Sequence, residues 1–378
     1  MLIISVSIIV TVAMAAIWFS PVWISGLSLR YTFWSGSIFS AQRNYYLRHE
    51  TSVTMADAEI LRVDSKSLMG NPLNDPVQRD LVIFRPDEIN MGAPLLIGLS
   101  GFGGGARSFL NYSPLSTNFT DVVEGLRRSN KLHGAIIAIP DCFTSIGGNQ
   151  YLNSTAVGAY EDFIVKEIVP DLRKRFGTGK TGVFGKSSGG FGAYSLSIRN
   201  PEVFQGFADH SGDAGFEYCY FADFPDSIKE FRKAGGVGEW YREFSRSPNK
   251  SKKKYMAPLN ILAMAAFYSP NKESKDLMVD LPFRVETGEL LDDVVERWRE
   301  FDPARNISEN LDKLRRMKAI YLDVGSEDEF KINFGMSKMH RILEENSIEH
   351  FFEEFADGHF NISYRYDLSL AYLAERLS

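Results

Sequence analysis

From about residue 80 onward, short apolar runs rich in β-branched residues alternate with longer amphipathic ones, the pattern of a largely parallel sheet with helices on both faces. Segments 80–85, 94–99, 134–139, 180–185, 206–210, 317–324 and 349–355 read as strands. The clearest helix covers 160–176 (YEDFIVKEIVPDLRKRF), where Phe163, Ile164, Ile168 and Leu172 share one face, charged residues take the other, and Pro170 predicts a kink. No repeat with a period of about 20–50 residues recurs, which excludes a solenoid or propeller.

Two segments break the alternation. Between the strands ending near 210 and starting near 317 lie about 100 residues, far more than a crossover needs, so they must hold helices of their own. The spacing predicts these at 226–233, 239–245, 257–267 and 307–316. The insertion, 214–316, is rich in aromatic residues, among them Phe216, Tyr220, Trp240, Phe244 and Tyr268. Either it forms a helical lid over an apolar pocket or its rings simply bury it against the sheet. Its basic run, Lys250 and Lys252–Lys254, reads as a solvated loop. The second exception is residues 2–19 (LIISVSIIVTVAMAAIWF), interrupted only by Ser5, Ser7 and Thr11 and long enough to span a bilayer. Three readings stand: a membrane anchor, a signal cleaved near Ala13-Met14-Ala15, or, taking residues 1–54 together, a dispensable extension ahead of Met55. As an anchor, followed by Arg30, Arg43 and Arg48, it would leave the rest of the chain in the cytoplasm. No Lys or Arg precedes it, which disfavours secretion. The expected globular domain is therefore 55–378.

Composition narrows the classes of partner. The chain has 378 residues, 44% apolar and 24% charged, as a soluble globular domain has. With 42 Lys and Arg against 48 Asp and Glu, the net charge of −6 gives no reason to bind nucleic acid. Cys142 and Cys219 form no C-x-x-C pair, so neither a disulfide framework nor a Cys-rich zinc site is expected.

Three glycine-rich turns carry candidate chemistry. Segment 175–181 (RFGTGKT) ends like a phosphate-binding loop, but the required first glycine falls at Lys174, and the segment closes a helix instead of opening one. Segment 101–106 (GFGGGA) fits a dinucleotide-binding turn, yet no acidic residue ends the next strand to hold a ribose. The third, 185–189 (GKSSG), is an instance of G-x-S-x-G that follows the apolar run 181–184 and opens a small-residue helix. That is the strand–turn–helix in which a sharp elbow lifts a serine hydroxyl clear of the sheet. A bare serine is a poor nucleophile and needs a base and an orienting acid, which in this arrangement follow later in the chain, acid before histidine. His359, in the turn after the last strand, is the best base; His340 and His350 sit in regular elements. Asp328, three residues past Gly325, is the preferred acid, with Asp323, Glu327 and Glu329 as competitors. The oxyanion of acyl transfer needs two donors, and the N–H groups of Ser188 and Phe102 are the natural pair, which gives the second glycine turn a role. His210, at a strand end, reads as a turn cap.

On these residues the chain resembles the putative-esterase branch of the α/β-hydrolases, the group of esterase D (S-formylglutathione hydrolase), enterochelin-type esterases and mycolyltransferases. The resemblance runs from about Leu81 to the carboxyl end. It rests on Leu99-Ser100-Gly101-Phe102, 147–154 (GGNQYLNS), 158–162 (GAYED), the elbow 185–193 (GKSSGGFGA), Asn200-Pro201, 210–213 (HSGD), Gly325-x-x-Asp328 and Gly358-His359. Esterase D proteins usually carry His where Lys186 stands. The resemblance implies an α/β-hydrolase fold, a Ser187, Asp328, His359 triad, and hydrolysis of a small-molecule carboxylic ester without metal or cofactor. An acyltransferase using the same triad and a non-catalytic binding protein are the alternatives. Attachment to a membrane through residues 2–19 would be additional to any of them.

Overall fold

The strands that build the centre of the sheet are mostly apolar because both of their faces are covered. The computed structural model describes residues 58–275 and 277–378; residues 1–54, and with them the three readings of 2–19, lie outside the described residues. The main sheet has eight strands: β1 Ala58–Asp64, β2 Gln78–Phe84, β3 Leu95–Leu99, β4 Ile136–Pro140, β5 Thr181–Lys186, β6 Gly206–His210, β7 Ala319–Gly325 and β8 Phe351–Phe355. Their spatial order is β1-β2-β4-β3-β5-β6-β7-β8. β2 runs antiparallel to both β1 and β4, while the remaining pairs are parallel. Alternate side chains feed two cores. Leu95, Ile97, Leu99 and Val183 face one that includes Phe163, Leu172 and the buried part of the insertion. Leu96, Ile137, Ile139 and Phe184 face the other, closed by the helices Phe119–Arg128 and Tyr366–Leu377.

Each of the seven expected strands is present, with ends shifted by up to two residues. β1 is an addition: an edge strand with no fully buried residue, whose apolar positions are too scattered to register as a run. Pro170 does not break its helix. The run is continuous through a π-helical stretch, Phe163–Ile168, directly before Val169–Phe176, and this wider turn accommodates the N–H that Pro170 lacks.

The insertion holds the helices Phe224–Ala234, Val237–Arg246, Lys253–Tyr268 and Asp292–Phe301, the last unanticipated. The helix expected over 307–316 is a 3-10 turn, Ile307–Asn310, followed by Leu311–Leu314. Most of the insertion's rings are buried among themselves, as where Trp240 stacks on Phe244 with centroids 5.4 Å apart. In the basic run, Lys250 donates to the carbonyls of Phe244, Ser245 and Ser247, closing the end of a helix.

Candidate active site

Phe102, Ser187, Ser188, Asp328 and His359 all lie beyond the carboxyl end of a strand, the edge of a parallel sheet where loops converge. Ser187 follows β5 with φ 59° and ψ −127°, a strained conformation for a residue with a side chain. The turn is possible only because its neighbours lack a Cβ. One on Gly185 would lie 2.4 Å from the carbonyl carbon of Gly189, and one on Gly189 would lie 2.3 Å from the carbonyl oxygen of Leu99. The Ser187 N–H donates to the His210 carbonyl at 3.0 Å, which fixes the elbow to the end of β6.

The expected acid and base are joined. His359 Nδ1 lies 2.8 Å from Asp328 Oδ2. Asp328 is fully buried and its other oxygen accepts the N–H groups of Phe330 at 2.9 Å and Ile332 at 3.4 Å. Burial alone would raise this carboxyl, but the His359 ring and the two N–H donors outweigh it and hold the group below its ordinary value. Phe330 and Phe360 pack edge-on around the imidazole, with centroids 4.8 and 5.4 Å away. Of the competing acids, Glu329 accepts the backbone N–H of His359 at 2.6 Å, Asp323 belongs to a separate buried network, and Glu327 is exposed. Lys186, just before Ser187, donates to the His359 carbonyl at 2.8 Å. Burial of its ammonium pushes its pKa down to about 8, against the pull of Asp328 and Glu329.

The Ser187 hydroxyl is not joined to His359 here. It donates to Asp213 Oδ1, at 3.4 Å. In the sequence Asp213 stands out only as the last residue of the segment 210–213 (HSGD). Its other oxygen accepts from Tyr220 at 2.7 Å and from the Ser188 hydroxyl at 3.0 Å. Burial raises its carboxyl above the ordinary value despite the Tyr220, Ser188 and Gln150 donors and the nearby His359 ring. No local pattern announces such a residue, because the groups that surround it come from the loop after β4 and from the insertion.

The glycine turn after β3 runs against the elbow. A Cβ on Gly101 would lie 3.0 Å from the Lys186 carbonyl oxygen and 3.4 Å from Ser187 Cβ. Gly103 N–H donates to Gly147 and Gly104 N–H to Gly101, while the Phe102 N–H donates to no backbone carbonyl among the described residues. Ser188 opens its helix, so its N–H has no intrahelical acceptor either. Both donors are thus unspent beside the serine.

His210 does not cap a turn. It is 1% exposed, and its Nδ1 lies 2.6 Å from Asp323 and its Nε2 2.7 Å from the Ser369 hydroxyl. His340 and His350 bond to each other at 2.8 Å, away from the elbow turn.

Residues 91–371 match the family model described as "Putative esterase". Comparison with curated proteins returns no match. Among solved structures, a ferulic acid esterase superposes with a TM-score of 0.54 at 16% identity, covering 84% of this chain and 98% of its own. An S-formylglutathione hydrolase from Agrobacterium tumefaciens gives 0.54 at 15% identity, covering 85% and 95%. The strand order and these superpositions are those of the α/β-hydrolase fold. The chain belongs to the putative-esterase family and is an enzyme that hydrolyses carboxylic esters.

Proposed function

We propose that this esterase acts through an acyl-enzyme formed on Ser187. His359 takes the hydroxyl proton as Oγ attacks the ester carbonyl. The N–H groups of Phe102 and Ser188 hold the oxyanion, and His359 returns the proton to the leaving alcohol. Water then attacks the acyl-enzyme by the same steps in reverse. Asp328 keeps Nδ1 protonated, so that Nε2 faces the serine, and stabilises the imidazolium. The observation that carries this reading is the buried Asp328–His359 pair, 2.8 Å apart, on the loops adjoining a serine held at positive φ. The mechanism requires the Ser187 hydroxyl to leave Asp213 and turn to the imidazole, a closure that unliganded sites often leave incomplete. The insertion serves as a lid over the site, since Tyr220 reaches from it to Asp213, the carboxyl that holds the Ser187 and Ser188 hydroxyls.

Ser187→Ala is expected to lower kcat for a short-chain phenyl ester by about 10³-fold or more, with the circular dichroism spectrum retained and labelling by a fluorophosphonate abolished. Undiminished turnover in that variant would overturn the proposal.

A further inference from the structure

The Phe102 N–H can serve an oxyanion only if the peptide that carries it keeps its orientation, and Gly101, with no side chain, leaves that peptide free to turn. Three successive peptide units of this turn are each held by one hydrogen bond. Gly104 N–H reaches the Gly101 carbonyl at 3.0 Å, and because a trans peptide points its C=O and N–H in opposite directions, this also fixes where the Phe102 N–H points. The units on either side are held from outside the turn, both by segment 147–151. Gly103 N–H donates to the Gly147 carbonyl at 2.7 Å, and the Tyr151 hydroxyl donates to the Ser100 carbonyl at 2.5 Å.

Tyr151 adopts a strained backbone to make that bond. Its φ is 59°, a left-handed conformation that a bulky residue seldom takes, and Asn149 Oδ1 accepts its N–H at 2.6 Å. Asn149 is fixed in turn by donating to the Cys142 carbonyl at 3.0 Å. The Tyr151 ring is 2% exposed and lies against the elbow helix, where a Cβ on Gly192 would stand 2.3 Å from its Cδ2. That helix begins at Ser188. One side chain therefore touches both of the elements that carry the proposed oxyanion donors. Burial pushes its phenol well above the ordinary value, so it stays protonated and a donor at neutral pH.

We propose that Tyr151 is a positioning residue for ester hydrolysis, its hydroxyl holding the Ser100 peptide, and through it the Phe102 N–H, in register with the Ser188 N–H. The inference rests on the acyl-enzyme reading above.

Tyr151→Phe keeps the ring and removes only the bond. Rates are taken per serine titrated to completion with a fluorophosphonate, which separates a misaligned site from a misfolded one. With a short-chain phenyl ester, kcat is expected to fall about tenfold with KM within about twofold, less than the loss of a whole oxyanion donor because the N–H is displaced and not removed. A trifluoromethyl ketone reports on the same donors: Ser187 Oγ adds to its carbonyl carbon, the hydroxyl proton passes to His359, and a tetrahedral oxyanion remains. Its affinity is expected to weaken by a similar factor. The acidic limb of the pH profile of kcat/KM should stay in place, since the Asp328–His359 pair is untouched. A kcat within about twofold of the wild type, whose turnover depends on Ser187, overturns the assignment to Tyr151 alone. An unchanged ketone affinity or a displaced acidic limb overturns the link to the oxyanion donors, and a variant with no titratable serine makes Tyr151 a residue of folding instead. Absence of Ser187-dependent turnover in the wild-type enzyme overturns the acyl-enzyme reading itself.

Discussion

A hydroxyl, an imidazole and a carboxylate in line do not by themselves make a nucleophile, and this chain contains the contrast. Ser369, His210 and Asp323 form a complete hydrogen-bonded set, with contacts of 2.7 and 2.6 Å. By hydrogen bonding alone it is better closed than Ser187 with His359. All three residues are at most 1% exposed, and Asp323 also accepts from Tyr321 and Arg365 at 2.8 Å each. No ester can reach Ser369, and its position inside the helix Tyr366–Leu377 gives it relaxed backbone geometry. The set therefore does structural work, pinning a helix to β6 and β7. Ser369→Ala should keep ester turnover within about twofold of wild type while costing about 1 kcal/mol of stability, as His210 Nε2 loses its buried partner. Thermal melts beside kinetics check this, and lost turnover in a folded variant would move the chemistry to the wrong serine.

At the scale of elements, the site depends on holding the loop after β8 against the end of β5. Two charged side chains grip the backbone of His359 from both sides, Lys186 at its carbonyl and Glu329 at its N–H. Lys186→Met removes one charge-assisted bond of the clamp, and kcat is expected to fall about tenfold with little change in KM, since the loss misplaces the base and not the substrate. In the wild-type enzyme, deprotonation of Lys186 loosens the same bond. An alkaline decline of kcat centred near pH 8 should therefore be present in the wild type and absent from the variant. A decline that persists in Lys186→Met assigns it to another group. Much of this architecture was legible in the chain. β3 and β4 are continuous apolar runs buried on both faces, β5 to β7 are apolar runs broken near their ends by Lys186, by Asp209 and His210, and by Asp323, and the proposed serine, acid and histidine stand out by glycines and strand ends. Asp213 and the true place of His210 were not legible. Their partners, such as Tyr220 and Gln150 for one and Asp323 and Ser369 for the other, meet them only after the sheet and the insertion have packed. β1 escaped notice because an exposed edge strand carries no buried run to betray it.

Over the whole molecule, buried carboxyls act on stability in separate ranges of pH, which makes one of them testable in isolation. The Asp328 carboxyl is held below its ordinary value, so its stabilising contribution is complete once the pH exceeds about 4 and is lost only on further acidification. Asp209 behaves in the opposite sense. It lies in β6, 1% exposed, with Oδ1 close against Gly190 of the elbow helix and Gly212 of the following turn. Burial drives its carboxyl well above the ordinary value, Asp213 and Asp323 push it further, and the Gly212 N–H only partly compensates. The folded state thus keeps a proton that the unfolded chain releases near pH 4, so stability falls as the pH rises through that window toward the folded value. Asp209→Asn has no proton to lose. Whatever its stability at low pH, the difference in Tm between the variant and the wild type should grow more positive from pH 4 to pH 7. The slope is bounded by about 1.4 kcal/mol per pH unit for one group, which corresponds to roughly 2–3 °C of Tm per unit. A difference that stays flat across that range would mean that Asp209 is ionised in the folded protein and that β6 carries a bare charge beneath the elbow.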